Sequence, residues 1–202
     1  MNLRPATVIF DLGDVILPFE PLKPCSILGN LSGKSAKDVA DLIRRENLER
    51  RFTEGKIDGN QFATGVLLAL GISMTVSQFH ELWNDMFTEN TEVSQLIRQL
   101  KPHHRLMLLS NTNPWHWQHA LERYPIVAEF QDRILSYEFG VLKPHPAIYR
   151  AALEKIDLRE CVIFIDDIET NVAAARIMGI HGIRFHSAEQ LARELRALGC
   201  RF

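Results

Sequence analysis

The residues in this chain best suited to chemistry each stand just past an apolar run. Asp11 follows Thr7 to Phe10, and Ser110 and Asn111 follow Leu106 to Leu109. Lys143 lies in the loop beyond Ile134 and Leu135, and Asp166 and Asp167 close the run from Val162 to Ile165. Carboxylates on separate loops can hold Mg2+, a hard cation that takes oxygen ligands in octahedral geometry. Such a cation offsets phosphate charge that would otherwise repel an attacking carboxylate. A hydroxyl, backbone amides and a lysine can hold the oxygens of a phosphoryl group in transfer. A carboxylate nucleophile would then form an aspartyl-phosphate, which water hydrolyses.

These groups meet only if the apolar runs are strands of one sheet. The runs are short and continuous, and they alternate with segments of helical period such as Val93, Leu96, Ile97 and Leu100. That pattern predicts a parallel sheet covered on both faces: an α/β fold, Rossmann-like and doubly wound. Sites in such folds lie beyond the carboxyl ends of the strands. Strands are expected near Ile134–Leu135, over Val162–Ile165 and near Ile183–Phe185, with a helix over Thr170–Met178.

From about Pro18 to Thr88 the pattern is almost wholly helical instead. Ser35 with Asp38, Asp58 with Gln61 and Thr75 with Gln78 are capping-box pairs before helical apolar spacings, and Ser187 with Gln190 opens the last helix the same way. The expected organisation is a catalytic core formed by 1–17 and 89–202, with a helical-bundle cap inserted over 18–88.

Bulk properties narrow the function classes. The 202 residues are 46% hydrophobic with a net charge of −2, so bulk charge attracts neither nucleic acid nor an anionic membrane. No apolar stretch approaches the ~20 residues that cross a bilayer. The apolar run near the N-terminus is short and is cut by Asp11, which argues against a signal peptide. Cys25, Cys161 and Cys200 are odd in number and widely spaced. They read as free thiols in a reducing cytoplasm, with no structural zinc site. The pattern carries no sign of an oligomeric state.

The segments FDLGDV, LLSNTN, VLKPHPAIY and FIDDIETN resemble, in order and spacing, the four motifs of the haloacid dehalogenase-like superfamily. The resemblance spans essentially the whole chain. The insert after the first motif resembles the four-helix cap of one subgroup. FTEGKIDGNQF, SNTNPWH and Tyr124-Pro125 are similar to small bacterial sugar-phosphate phosphatases of the glucose-1-phosphate type. By this resemblance Asp11 is the nucleophile, and Asp11, the Gly13 carbonyl, Asp166 and Asp167 are the Mg2+ ligands, Asp166 directly or through water. Ser110 and Asn111 hold the phosphoryl group, Lys143 pairs with nucleophile and phosphate, and Asn171 supports the metal shell. The implied substrate is a small phosphorylated metabolite, with a sugar phosphate favoured. The FxDD form of motif four also resembles the phosphatase domain of mammalian epoxide hydrolases, which brings in lipid phosphates.

One position departs from the pattern. Many phosphatases of this superfamily carry a second aspartate two residues after the nucleophile, which protonates the leaving group and activates water. Here that position is Gly13. Asp14 is adjacent, but neighbouring side chains in an extended turn diverge. The proton carrier stays open between Asp14, a cap residue, water and a leaving group that needs none. His116, between Trp115 and Trp117, reads as a packed helix-start residue, with a substrate contact as the alternative. Arg44, Arg45, Arg50 and Arg51 read as a solvated face, unless one meets a second anionic group or a sugar hydroxyl.

Two rival functions fit the scaffold. A haloacid dehalogenase also uses an aspartate nucleophile but needs no Mg2+ and tends to replace the paired acids of motif four, so Asp166-Asp167 argues against it. A non-catalytic regulatory or binding homologue is favoured only by Gly13.

Overall fold

The computed structural model describes residues 6–157 and 161–202. Residues 1–5, which hold the start of the expected core segment and of the N-terminal stretch, lie outside the described residues, as do 158–160.

Five parallel strands form one sheet: β1 (Ala6–Phe10), β2 (Arg105–Ser110), β3 (Asp132–Leu135), β4 (Cys161–Asp166) and β5 (His181–Arg184), in the order β3-β2-β1-β4-β5. Between β1 and β2 run α1 (Leu22–Ser32), α2 (Ala36–Arg45), α3 (Leu48–Thr53), α4 (Gly59–Leu70), α5 (Val76–Asn84) and α6 (Thr91–Leu100). Later come α7 (Pro114–Arg123), α8 (Ser136–Phe139), α9 (Pro146–Leu153), α10 (Glu169–Ile177) and α11 (Ala188–Ala197).

The strands are apolar along their length because both faces are covered. Successive side chains alternate faces. Val8, Phe10, Leu106, Leu108, Ile163 and Ile165 pack with α6, α7 and α11. Ile9, Met107, Leu109 and Phe164 pack on the other side with Ile148 and Tyr149 of α9 and Ala175 of α10. The expected Rossmann-like, doubly wound parallel sheet is therefore the fold.

Local signals translated directly at the helix starts. All four capping boxes form, at Ser35, Asp58, Thr75 and Ser187. Two details differ from expectation. Strand β5 spans His181–Arg184, not Ile183–Phe185, because it enters the sheet at His181 opposite Ile163. Its opening pair, His181-Gly182, hides it from an apolar scan. Gly182 is needed there, since a Cβ would lie 2.9 Å from the Val172 carbonyl oxygen. The insert also holds five helices, α1–α5, where the resemblance implied four, the extra one being the six-residue α3.

Helices α1–α5 share a core of their own, built on Phe52, Phe62, Phe79 and Trp83. Phe52 stacks on Phe62 at 4.9 Å and Phe79 on Trp83 at 5.6 Å. Trp115 at the start of α7 joins them, edge-on to Phe52 at 5.3 Å. The chain enters and leaves this unit through adjacent segments. Phe19 bridges Phe87, Glu20 N donates to Met86 O at 3.0 Å, and Thr88 N donates to Pro18 O at 2.9 Å.

Candidate active site

Strands β1 and β4 run in step, with Phe10 beside Ile165, and Asp11 N donates to Ile165 O at 2.9 Å. Asp11 and Asp166 therefore leave neighbouring strands side by side. Ligand oxygens of Asp11, Asp166 and Asp167 all lie within 4.8 Å of one another. Lys143 reaches into this group from the α8–α9 loop, its Nζ 2.8 Å from Asp11 Oδ1 and 2.6 Å from Asp166 Oδ2. Its side chain is 1% exposed.

The supporting bonds explain how the lysine is held. Asn111 Nδ2 donates to Lys143 O at 3.0 Å, and Lys143 N donates to Asn111 Oδ1 at 2.7 Å. The Asn111 side chain thus docks the lysine loop, and its amide is engaged on both ends. Asp166 is fully buried and accepts from Ile168 N at 2.9 Å and Asn171 Nδ2 at 3.0 Å. The Asn171 carbonyl in turn accepts from Tyr149 Oη at 2.9 Å. Asp11 Oδ1 accepts from Leu12 N at 2.7 Å.

Electrostatics sharpen the picture. Burial pushes the Asp11 carboxyl up to about 7, opposed by Lys143 and reinforced by Asp166. Burial, then Asp166, also raises Asp167. Burial works to lower Lys143, but the carboxylates of Asp11 and Asp166 outweigh it and hold its pKa above the ordinary value. Three carboxylates face one ammonium in a water-poor site, which leaves negative charge uncompensated. An all-oxygen donor set with excess negative charge fits a hard divalent cation such as Mg2+.

Ser110 is buried at the end of β2, and Ser110 to Asn113 line a cavity of about 480 Å³ that extends from Gly13 toward α1–α3. Gly13 faces Phe19, whose ring would lie 3.1 Å from a Cβ built there. Asp14 has a left-handed backbone, φ 53°, and its Oδ1 accepts from Phe19 N at 3.3 Å on the exposed side of the turn. Its carboxyl closes the turn and does not line the cavity.

His116 is packed at the start of α7. Its N–H donates to Asn113 Oδ1 at 3.0 Å, and its ring meets Phe87 edge-on at 4.9 Å. Burial lowers its pKa to about 3, so the ring is neutral and accepts from Asn113 Nδ2 at 3.1 Å through Nδ1. Arg44 and Arg50 line the cavity, whereas Arg45 and Arg51 do not. Arg44 is paired with Asp41 at 2.6 Å and Arg50 with Glu54 at 2.9 Å.

Sequence reasoning missed Ser136. Its fully buried Oγ accepts from Thr112 N at 3.0 Å and lies 2.7 Å from Thr53 O and 2.9 Å from Thr112 O, donating its single proton to one of them. It ties the loop after β2 to the end of α3. The signal was available: Ser136 directly follows Ile134-Leu135, at a strand's carboxyl end where parallel sheets place function. Elsewhere, all three cysteines are free thiols. Among the described residues no helix is long and apolar enough to cross a membrane.

A doubly wound sheet that gathers three carboxylates, a buried lysine and a strand-end serine at its rim defines a hydrolase of the haloacid dehalogenase type. Comparison with known proteins agrees: the haloacid dehalogenase-like hydrolase family matches residues 5–179, and the chain belongs to it. The sesquiterpene phosphatase astK of Aspergillus oryzae is 26% identical over 197 residues, covering 95% of this chain and 96% of that protein. Flavin mononucleotide hydrolase 1 of Arabidopsis thaliana is 36% identical over 93 residues, which are 40% of this chain and 38% of that protein. Among solved structures, a family enzyme of Bacteroides thetaiotaomicron in complex with magnesium and inorganic phosphate superposes with a TM-score of 0.81. It is 25% identical, and the match covers 90% of this chain and 94% of that one.

Proposed function

We propose that this chain is a Mg2+-dependent phosphatase that hydrolyses a small phosphorylated metabolite through an aspartyl-phosphate on Asp11. The observation that carries this reading is the buried Lys143 ammonium bridging Asp11 and Asp166 beside Asp167. Lys143 fixes the attacking carboxylate, and its charge lies where phosphoryl oxygens would arrive. Ser110 would hold those oxygens from the end of β2, and Asn111 would position Lys143 toward them. Asp11 forms the bond to phosphorus as the ester P–O bond breaks, and water then cleaves the acyl phosphate. Asp11, Asp166, Asp167 and the Gly13 carbonyl would hold Mg2+, which supplies positive charge to the phosphoryl group when bound. Asn171 keeps Asp166 oriented.

Residues 18–88 act as a cap over this site, since their helices supply one wall of the cavity that begins at Ser110. Closure of such a unit limits water and selects the leaving group. The relatives support a phosphatase, one bearing the name of a sesquiterpene phosphatase and another of a flavin mononucleotide hydrolase. A sugar phosphate remains the substrate suggested by FTEGKIDGNQF and SNTNPWH. The free thiols fit a reducing cytoplasm.

The test is hydrolysis of a generic aryl phosphate with Mg2+, with a chelator, and with Asp11→Asn. Turnover that needs both Mg2+ and Asp11 is the expected result. Equal rates for both proteins would overturn the enzyme reading, and metal-independent release of halide from a 2-haloacid would favour the dehalogenase.

A further inference from the structure

The cavity beyond the phosphate end has a composition that bears on the leaving group. Its walls include Leu17, Phe19, Cys25, Ile43, Met86 and Phe87. The Phe19 and Phe87 rings are in contact, tilted by 43° with centroids 5.8 Å apart. Cys25 belongs to this apolar set, because burial, with Glu49 nearby, pushes its thiol pKa up to about 11 and keeps it uncharged. Three polar side chains on the wall are engaged, Arg44 by Asp41, Arg50 by Glu54, and the Thr53 hydroxyl by the Glu49 carbonyl at 2.9 Å, while Asn47, Glu49 and the unpartnered Trp83 Nε1 are the polar groups left to meet a ligand there.

A hexose leaving group would bring several hydroxyls against these walls. Each buried hydroxyl without a partner is unfavourable, whereas each methylene placed there gains. The cavity, at about 480 Å³, lies within the size range of pockets that enclose a whole small ligand.

We infer that the substrate is a phosphate monoester of an apolar alcohol, whose hydrocarbon chain lies between the Phe19–Phe87 pair and α2 while its phosphate sits at Asp11. This rests on the phosphatase reading above and replaces its sugar with a hydrocarbon. The chemistry is shared by linear alkyl and branched prenyl phosphates.

The experiment measures kcat/KM with Mg2+ along a series of linear alkyl phosphates, beside geranyl phosphate, glucose 1-phosphate and glucose 6-phosphate. Acetyl phosphate, which has little to place in the cavity, reports the chemistry alone. An increase of about fourfold per added methylene, equivalent to ~0.8 kcal/mol each, is expected until the cavity is full. A preference for geranyl phosphate over its linear counterpart assigns the prenyl source, and the reverse assigns the alkyl one. In Met86→Gln, nearly isosteric and polar, the slope along the series falls, and a slope equal to the native protein's overturns the apolar wall. Turnover of acetyl phosphate with no gain along the series, or with hexose phosphates preferred, overturns the apolar leaving group alone. No turnover of any compound overturns the phosphatase reading and this inference with it.

Discussion

Binding of Mg2+ is expected to weaken about tenfold for each pH unit below about 7, because a proton must leave Asp11 before its carboxylate can ligate. The magnitude follows from the site. Burial holds the Asp11 carboxyl at about 7 against an ordinary 3.8, and the opposing charge of Lys143 does not fully offset it. The folded pKa is raised, so between these values the folded chain keeps a proton that the unfolded chain has released. Stability from this group is fully present below 3.8 and is lost as pH rises through about 7. The difference of about three pH units corresponds to about 4 kcal/mol. In a domain of this size that is on the order of 10 °C in melting temperature. Mg2+ should restore it by mass action, and most strongly at the alkaline end, where the carboxylate is already ionised. The assay is calorimetric titration of Mg2+ from about pH 5 to about pH 8, paired with melting curves of the metal-free and metal-loaded protein. In Asp11→Asn the slope of log Kd against pH should fall by about one proton, and the metal-free protein should no longer lose that stability. A Kd equal at both ends of the range in the native protein would refute the reasoning, since it would mean that Asp11 is ionised throughout or does not meet the metal.

Lys143→Met removes the ammonium that bridges two buried carboxylates and should cost the metal-free protein about 3 kcal/mol, with activity lost; a metal-free urea midpoint equal to wild type would count against the bridge. Ser136→Ala leaves Thr112 N without its partner and removes a bond available to Thr53 O, so a stability loss of about 2 kcal/mol and a raised KM are expected, measured by urea unfolding and steady-state kinetics. Glu49 lies on the cavity wall with its side chain still reached by solvent, and partial desolvation raises its carboxyl pKa. Glu49→Gln should therefore reduce kcat for alkyl phosphates about 100-fold if it delivers the proton that Gly13 cannot, while acetyl phosphate, whose leaving group needs no proton, is unaffected. An equal reduction for both substrates would assign Glu49 a structural role instead.

The parts legible in the sequence were those set by local or one-dimensional rules. The sheet was readable because β1, β2 and β4 are buried on both faces and so carry unbroken apolar runs. The four capping boxes were readable because a three-residue spacing creates them. The meeting of Asp11, Lys143, Asp166 and Asp167 followed once each was placed at a strand end. Other features depend on contacts between distant segments. Ser136 binds Thr53, 83 residues away, and nothing in its neighbours signals that. The double bond of Asn111 to the Lys143 backbone spans 32 residues and turns an expected phosphate contact into a support for the lysine. The character of the cavity was hidden for the same reason: its walls come from α1, α2 and the crossing at Phe19 and Phe87, each amphipathic for reasons of its own.

The absent acid at Gly13 and the apolar cavity meet at Phe19. A Cβ at 13 would sit tightly against the ring of Phe19, 3.1 Å from Phe19 Cε1. Phe19 is fixed there by the Asp14 carboxylate, which accepts its backbone N–H, and by its bridge to Phe87. The turn that would normally present an acid to the leaving group instead presents an aromatic ring, and its one carboxylate is bound to that ring's own backbone. Restoring an acid at 13 requires the ring on this apolar wall to give by a few tenths of an ångström. Gly13→Asp alone would therefore place a carboxylate against an apolar surface, where desolvation opposes its ionisation. Combined with Phe19→Ala it would open space and polarity together. With the only other carboxylate of the nucleophile's loop turned to the Phe19 backbone, the Glu49→Gln comparison asks whether the proton comes from the side of α3 instead.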